Sequence, residues 1–386
     1  MATRDPERDD AANTKTSNSA KLISGPGSLG PGSTKRWRLL LFGAAVVLVA
    51  AALGTFGWNL IKPKPVATTA TPTPTPIHTP TPTPKPNTVA SPLTGLQVTP
   101  VQATRPLSAV VIENYDPDAR PQSGLQDAGV VYEANAEGGI TRFLAFFLEN
   151  RPPNIGPVRS LRTYFVDWAL EFNAPVAHAG GNADALDLIQ PLGMKDINAL
   201  SFASGGFFRT TDRYAPHNLY TNSDKMDDLL QRFGYNQPAN FPVSPRKADQ
   251  PNKNAPNPHI HVDFSYSGYQ VDWNYDATSN DYARNMAGAP HIDRNNGAQI
   301  HVKNIVVEMM PTSYGTTRIG ESTVIMKTVG SGQGWLCEDG TCQAITWKKD
   351  SHTSRTQLIG ANGQNLPLNA GNTWYEIVPQ GKTVSF

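Results

Sequence analysis

The chain has 386 residues and a formal net charge of +1, because its 33 lysines and arginines nearly balance its 32 aspartates and glutamates. This length is sufficient for two domains of ordinary size. A charge so close to neutral does not favour binding of nucleic acid over the whole surface, and we therefore exclude a general nucleic-acid-binding protein.

An uncharged, mostly apolar segment runs from Leu39 to Trp58 and is long enough to cross the apolar core of a membrane as a helix. Basic residues precede it, which places its N-terminal side in the cytoplasm by the positive-inside rule. We predict a disordered cytoplasmic tail at 1–38 and a retained transmembrane anchor at 39–61; the alternative is a cleaved signal peptide. No cysteine lies beside the apolar segment, so lipid attachment there is excluded.

Residues 62–91 are rich in Thr-Pro pairs, as in "TPTPTPIHTPTPTPKP". Proline at this density excludes a helix or a central strand and favours extended polyproline II. At about 3.1 Å per residue, the proline-rich tract "KPKPVATTATPTPTPIHTPTPTPKP" within it would span on the order of 70 Å. We predict a stalk that carries the following domains away from the membrane.

Between residues 92 and 234, segments with strand character alternate with segments with helix character. Buried strands are predicted in "LSAVVIEN", "GVVYEANAEGG" and "TRFLAFFLEN", with Gly138-Gly139 as the turn between the second and the third. Helices are predicted in "SLRTYFVDWALEF", "ADALDLIQPL" and "SDKMDDLLQRFG", mainly because apolar residues recur in them at helical spacing. This alternation predicts an α/β or α+β domain.

The chain changes character after residue 234. Residues 235–258 are rich in proline and asparagine and are predicted to be a linker. From 259 to 386, short strand-like segments such as "IHVDFSYS", "QIHVKNIVVEMM" and "TWYEIVP" are separated by Gly, Asn and Asp turns. This pattern predicts a mostly β second domain.

Both cysteines lie in "GWLCEDGTCQAITW", where Asp339-Gly340 is a turn signal between two strand-like flanks. Outside the cytoplasm, two thiols on facing strands of a hairpin are expected to oxidise. A zinc site would need two further ligands, and the chain has no other cysteine. We therefore predict a disulfide between Cys337 and Cys342.

Five arginines of the first predicted domain could surround an anion. Arg142 follows the Gly-Gly turn, Arg159 and Arg162 lie where a predicted helix begins, and Arg209 and Arg213 lie in "GGFFRTTDRYAPHNLY". Guanidinium groups bind carboxylate and phosphate bidentately, and a helix start adds N–H donors. Because a helix start favours acidic residues, two arginines there suggest a bound anion. The alternative is that each arginine pairs with an aspartate or a backbone carbonyl.

Carboxylates in "VVYEANAEGG" are candidates for acid catalysis. Glu133, Asn135 and Glu137 share one face of the predicted strand. The two glutamates would lie about 13 Å apart at roughly 3.3 Å per residue, too far for a paired-carboxylate glycosidase. Glu137, beside the Gly-Gly turn, is the candidate for a single catalytic acid. The alternative is a solvent-facing or arginine-paired glutamate.

Histidines offer further candidates. His217 in "RYAPHNLY" could act as a base or donate a hydrogen bond to a substrate, with Asn218 as a neighbouring ligand-binding residue. His178 ends a predicted strand, where side chains of α/β proteins often face a site. Histidines satisfied by the backbone are the alternative at both positions.

The second predicted domain places His259, His261 and Asp263 on one strand face, and "PHID" adds His291 and Asp293. Imidazole and carboxylate suit zinc, but strand alternation produces such patterns readily. We therefore predict neither a metal site nor a cofactor. The chain also lacks a serine nucleophile elbow, a P-loop and a dinucleotide-binding fingerprint.

Several segments together resemble the YerB-like family of bacterial envelope proteins. They include "SPLTGL", "ARPQSGLQDAGVVYEANAEGGITRFLAFF", "IGPVRSLRTYFVDWALEFNAPVAHAGG", "RYAPHNLY", "YARNMAGAPHID", "GAQIHVKNIVV" and "GNTWYEIVP". The resemblance extends from Pro92 to Pro379 and implies two extracytoplasmic domains, usually lipid-anchored, without an established activity. This chain departs from the pattern in its predicted transmembrane anchor and in the segment containing Cys337 and Cys342.

Two functions remain open on the sequence alone. The protein could bind an anionic envelope glycan, such as peptidoglycan, or a partner protein through an arginine-lined cleft. Alternatively, it could be an enzyme acting on peptidoglycan or a lipid-linked glycan, by lytic-transglycosylase-like cleavage or by phosphoglycosyl transfer. We favour binding, because no nucleophile or base is evident. In either case we expect a single-pass protein of the bacterial cell membrane with its C-terminal domains outside the cytoplasm.

Overall fold

The computed structural model describes residues 87–386. The predicted cytoplasmic tail, transmembrane anchor and most of the stalk lie outside these residues. No helix within 87–386 combines the length and the apolar character of a membrane span.

The α-helices of the described residues are α1 (Pro100–Ala103), α2 (Thr163–Glu171), α3 (Ala183–Leu192) and α4 (Ser223–Arg232). The strands, in chain order, are β1 (Val89–Ala90), β2 (Gln97–Val98), β3 (Ser108–Glu113), β4 (Val130–Asn135), β5 (Thr141–Phe147), β6 (Val176–His178), β7 (Asp196–Asn198), β8 (Phe208–Arg209), β9 (Leu219–Tyr220), β10 (Arg246–Lys247), β11 (His259–Asp263), β12 (Gln270–Asp276), β13 (Asp281–Met286), β14 (Ala289–Pro290), β15 (His301–Val302), β16 (Asn304–Met310), β17 (Thr312–Thr316), β18 (Ser322–Met326), β19 (Gly330–Glu338), β20 (Thr341–Lys349), β21 (Gln357–Ile359), β22 (Leu368–Asn369), β23 (Thr373–Pro379) and β24 (Val384–Ser385).

One 10-stranded sheet runs through the described residues in the order β21-β20-β19-β16-β23-β4-β5-β3-β6-β7. Its two halves come from the two ends of the described chain and meet where β23 pairs in parallel with β4, Thr373 opposite Val130. The alternation of strands and helices in the first half and the β-rich second half are as predicted. The sequence pattern does not reveal that both halves contribute strands to the same sheet.

The central strands are buried on both faces, which is why β3, β4 and β5 are apolar almost without interruption. One face packs against α2, whose Trp168 stacks on Tyr132 of β4 with ring centroids 5.0 Å apart. The other face packs against a second, 6-stranded sheet that contains β11, β12 and β13, with Trp273 at its centre. The core thus has a helix layer and two sheet layers.

The predicted linker also contacts this structure. Within it, β10 pairs in parallel with β22. Its Phe241 packs edge-on against Phe172 with ring centroids 5.3 Å apart.

Cys337 and Cys342 form a disulfide between β19 and β20, where they lie opposite each other with Cα atoms 4.0 Å apart. The turn between them has positive φ at Asp339 (54°) and Gly340 (75°). Both the hairpin and the predicted disulfide are confirmed.

Strands β3, β4, β6 and β7 run in the same direction, with β5 antiparallel between β3 and β4. Their carboxyl ends therefore meet at one edge of the sheet, which we name the carboxyl edge. In parallel α/β sheets this is the edge at which ligand sites usually form.

Candidate functional site

The carboxyl edge brings together six charged or titratable side chains from distant parts of the chain. We name these six residues the carboxyl-edge cluster: Glu113, Glu137, Arg142, Arg159, Arg162 and His217.

Strand pairing and one turn position the first three members. Glu113, the last residue of β3, lies opposite Arg142 of β5 in the antiparallel register. Gly138 and Gly139 have φ values of 72° and 75°, a conformation that glycine adopts without strain, and they form part of a 3-10 turn between β4 and β5. Glu137 begins this turn.

Backbone hydrogen bonds fix the segment that carries the other two arginines. The N–H of Arg159 donates to the carbonyl oxygen of Val111 at 2.9 Å, and the N–H of Leu161 donates to Gly180 at 2.9 Å. Arg162 is the N-cap of α2, and its side chain makes no capping hydrogen bond. Instead of capping the helix, the side chain is directed to Glu137.

Each of the two carboxylates of the cluster contacts other cluster side chains through both of its oxygens. Glu113 is almost fully buried; its Oε1 accepts from Arg159 Nε at 2.8 Å and its Oε2 contacts His217 Nδ1 at 3.0 Å. The two oxygens of Glu137 accept from Arg162 Nε at 2.7 and 2.9 Å. These are charge-assisted bonds, the stronger class of protein hydrogen bond.

Arg142 has a different environment. Only 5% of this residue is exposed, and its Nη1 donates to the carbonyl oxygen of Ser160 at 3.2 Å. Its buried Nε has no hydrogen-bond partner among residues 87–386, where the two carboxylates of the cluster pair with the other arginines. Burial, together with repulsion from Arg162, lowers the pKa of Arg142 to about 10, so it remains charged at neutral pH.

Glu137 is held in its ionised form. Burial alone would raise its pKa, but the hydrogen bonds and charge of Arg162, together with the charge of Arg142, lower it below the ordinary value. A carboxylate in this state accepts hydrogen bonds at neutral pH and has no proton to donate.

The charges of the cluster do not cancel. Three guanidinium groups face the carboxylates Glu113 and Glu137, and a further carboxylate, Asp118, lies 4.0 Å from His217. Arg159 uses only its Nε on Glu113, and within 87–386 its two terminal nitrogens have no hydrogen-bond partner. Its side chain is 25% exposed, so this planar fork is accessible from solvent.

Other predicted site residues stabilise a neighbouring loop. Arg209 donates to Asn218 Oδ1 at 2.7 Å, and Asn218 in turn donates to the carbonyl oxygens of Thr210 and Arg213. Arg213 donates to the carbonyl oxygens of Ala119 and Pro121 and to the Tyr220 hydroxyl. These contacts hold the 210–220 loop that carries His217.

His178 lies at the carboxyl edge but is fully buried. Its Nδ1 contacts the carbonyl oxygen of Gly180 at 2.8 Å and its Nε2 contacts Asp196 at 2.7 Å. Both ring nitrogens are therefore used within the fold.

Most histidines and aspartates singled out in the second half have partners within the fold. His259 and His261 share the Oδ1 atom of Asp272, and Asp293 accepts from the backbone N–H groups of Gly124 and Gln126. The carboxyl group of Asp263 has one buried oxygen without a partner in the described part of the chain. His291 contacts Gln122 at 2.8 Å, and burial, with repulsion from nearby arginines, keeps its pKa well below the ordinary value. Over residues 87–386, no group of three or more such side chains is placed to hold a metal ion.

Sequence reasoning missed Glu113, the residue that links Arg159 to His217. The available signal was a glutamate at the end of the otherwise apolar segment "LSAVVIEN". A titratable side chain at the end of a buried strand is a site candidate, and the same reasoning that selects His178 would have selected Glu113.

Comparison with known proteins places the chain among proteins without an established activity. Residues 93–236 match the family described as "Protein of unknown function (DUF3048) N-terminal domain", and residues 260–375 match the corresponding C-terminal domain. The chain is 32% identical over 296 residues to a Bacillus subtilis (strain 168) protein named "Putative lipoprotein YerB". This match covers 75% of this chain and 86% of that protein. The crystal structure of the YerB protein from Bacillus subtilis superimposes on this chain with a TM-score of 0.68 and 30% sequence identity. The superposition covers 77% of this chain and 100% of the chain in that crystal structure.

The carboxyl-edge cluster lies entirely within the first matched domain, and the 10-stranded sheet includes strands of both. The two matched domains and the relative together cover most of the described residues, and the chain belongs to the YerB-like family, whose domains are described as DUF3048.

Proposed function

We propose that the protein is a membrane-anchored extracytoplasmic protein of the cell envelope that binds an anionic group of an envelope glycan or a partner protein at the carboxyl-edge cluster. The location is supported by the predicted anchor at 39–61 and by the relative that is named as a lipoprotein. Both kinds of anchor would hold the folded domains at the outer face of the membrane.

One observation carries the binding proposal: three guanidinium groups meet only two carboxylates, and Arg142 has no carboxylate partner among residues 87–386. A cation buried without an opposite charge is costly unless a counter-charge approaches it. Arg142 is too buried to contact a large ligand itself, but its field favours an anion on the surface above it.

Arg159 supplies the contact. Its Nε is fixed by Glu113, which orients the guanidinium plane, while the two terminal nitrogens remain free in the described structure. A fork held in this way matches a carboxylate or a phosphate and loses little side-chain entropy on binding. His217 contacts the other oxygen of Glu113 through its Nδ1 atom, so the same carboxylate holds both side chains.

The contacts of Glu137 do not favour the enzymatic alternative. A single catalytic glutamate must be protonated to act as a general acid, and this usually requires a raised pKa. Arg162 and Arg142 instead lower the pKa of Glu137. We therefore assign Glu137 to orienting Arg162.

Isothermal titration calorimetry tests the binding proposal: inorganic phosphate is titrated into the full-length protein in neutral detergent. Hydrogen bonds to charged groups contribute about 1.5–3 kcal/mol, so Arg159→Gln should weaken binding at least about tenfold. Arg151→Gln is the matched control, because Arg151 pairs with Asp224 and Asp227 beyond the far end of β5. Absence of binding to the wild type, or equal binding by both variants, would overturn the proposal.

A second measurement addresses the enzymatic alternative. Full-length protein is incubated with purified peptidoglycan, and released fragments are analysed for the wild type and for Glu137→Gln. We expect no release from either. Release by the wild type that is lost in Glu137→Gln would replace binding with cleavage.

A further inference from the structure

Two exposed tyrosine rings border the carboxyl-edge cluster. Tyr115 is 41% exposed and Tyr266 is 51% exposed, unlike the tyrosines of the core. Tyr115 directly follows β3 and Asn114, and Tyr266 lies between β11 and β12 in the second family domain. The rim of the cluster therefore has contributions from both domains.

Tyr115 is attached to the cluster through His217. The two rings are stacked, with centroids 5.0 Å apart and planes inclined by 21°. His217 in turn contacts Glu113, the carboxylate that orients Arg159. The position of the Tyr115 ring is thus linked to the free guanidinium fork.

Tyr266 is attached on the side of Glu137. A Cβ atom placed on Gly139 would lie 3.3 Å from Tyr266 Cε1, so the ring packs directly on the turn that begins at Glu137. Tyr266 also packs edge-on against Tyr269, whose hydroxyl accepts the N–H of Asp116 at 3.3 Å. Because Asp116 follows Tyr115, the two ends of the rim are connected.

The arrangement of charge and aromatic surface favours a sugar polymer over a protein partner. Protein interfaces have an apolar centre depleted of charge and a polar rim. Here arginines and glutamates occupy the centre, and aromatic rings lie at the border. Flat apolar faces beside a few fixed polar groups suit a ligand such as a sugar ring, which has C–H faces and polar edges.

We infer that Tyr115 and Tyr266 form a stacking platform for sugar rings of a glycan that carries carboxylates, while one of those carboxylates contacts Arg159. The inference rests on the proposed function and adds the class of ligand. The tyrosine rings would select the sugar, and the cluster would select its charge.

The test uses three probes with the full-length protein in neutral detergent: an oligosaccharide of uronic acid, its uncharged methyl ester, and polyglutamate of similar charge. The wild type should bind the uronic-acid oligosaccharide most tightly. Tyr115→Ala and Tyr266→Ala should each weaken that binding about two- to tenfold, since aromatic stacking typically contributes on that scale. Tyr115→Phe and Tyr266→Phe, which keep the ring, should bind like the wild type.

Two controls separate stacking from folding and from charge. Tyr314→Ala removes an exposed tyrosine of β17 outside the cluster and should leave binding unchanged. Arg159→Gln should weaken binding of both charged probes, whereas the tyrosine variants should not affect polyglutamate. Thermal melting of each variant verifies that the fold is retained.

The outcomes distinguish the two proposals. Equal binding of the oligosaccharide and polyglutamate, with no effect of the tyrosine variants, would overturn the sugar platform and leave the anion site standing. Equal binding of the charged oligosaccharide and its methyl ester would instead overturn the anion site. Binding of none of the three probes would overturn the sugar platform, and the phosphate titration would then decide the anion site separately.

Discussion

Glu133 of β4 and Arg284 of β13 form an ion pair in which neither side chain is exposed to solvent. Glu133 also accepts a hydrogen bond from the Thr141 hydroxyl at 2.6 Å. The guanidinium group of Arg284 lies over the ring of Trp374, 4.6 Å from its centroid. Because Glu133 belongs to the first family domain and Arg284 to the second, the pair joins the two domains inside the core.

Removing one partner of this pair should be strongly destabilising. Arg284→Met leaves the Glu133 carboxylate buried without its counter-charge, and such changes cost about 3–5 kcal/mol. Chemical denaturation followed by tryptophan fluorescence measures the free energy of unfolding. We expect a loss in this range for Arg284→Met.

The double variant Glu133→Leu with Arg284→Met completes the thermodynamic cycle. It removes both charges, so its loss should be smaller than the sum of the two single losses. Arg318→Met is the control, because the Arg318–Asp187 pair is exposed on both sides and should contribute little. Additive losses would show that Glu133 and Arg284 do not interact across the domain boundary.

A second prediction concerns Glu376, which lies beside Glu133 in the parallel register of β23 and β4. Burial, followed by repulsion from Glu133, raises the pKa of Glu376 to about 8. The folded state therefore binds a proton that the unfolded chain has released, so this group makes the protein less stable as pH rises from about 4.5 to about 8. We expect the melting temperature to decrease over that range.

Glu376→Gln should reduce this pH dependence, because the amide cannot ionise and its oxygen can still accept from Trp273 Nε1. Glu308, whose pKa is also raised to about 8 by burial, would retain part of the effect. Melting curves of wild type and variant between pH 5 and pH 8.5 provide the measurement. An unchanged dependence in the variant would contradict the assignment to Glu376.

The contrast between Glu133 and Glu137 shows what the sequence could predict. The strand at Glu133 and the turn at Gly138-Gly139 are correctly predicted, but β4 ends at Asn135, so Glu137 begins the turn and the prediction that it shares a strand face with Glu133 is wrong. Alternation specifies the face on which a residue lies but not what covers that face. Glu133 is buried because the second sheet covers its face, and that contact connects residues far apart in sequence.

Arg284 was not singled out from the sequence, although a signal was present. In "DYARNM", Arg284 alternates with Tyr282 and Met286, which are both buried. Strand alternation therefore places Arg284 on the same buried face of β13. A buried arginine requires a carboxylate or several acceptors nearby. Which carboxylate it meets depends on how the second sheet packs on the first, and no local pattern specifies that packing.

The disulfide supports a third prediction. Cys337 and Cys342 are separated by five positions, and closing so short a loop should stabilise the fold by roughly 2 kcal/mol through the entropy of the unfolded chain. Denaturation with and without a phosphine reductant should therefore differ by about this amount in the wild type. The double variant Cys337→Ala with Cys342→Ala should be insensitive to the reductant; a reductant effect in that variant would show that the difference does not arise from the disulfide.

The last prediction concerns Gly334, which lies opposite Glu308 where β19 pairs with β16. A Cβ atom at this position would lie 2.2 Å from the carbonyl oxygen of Val307. A backbone atom in the middle of a sheet cannot move away without disturbing the strand pairing, so Gly334→Ala should lower the free energy of unfolding by at least about 1–3 kcal/mol. Gly315→Ala in β17 is the matched control, because its added Cβ would meet only the end of the Ile325 side chain, at 3.2 Å. Chemical denaturation of both variants provides the comparison, and equal stabilities would indicate that β16 and β19 are not paired in this register.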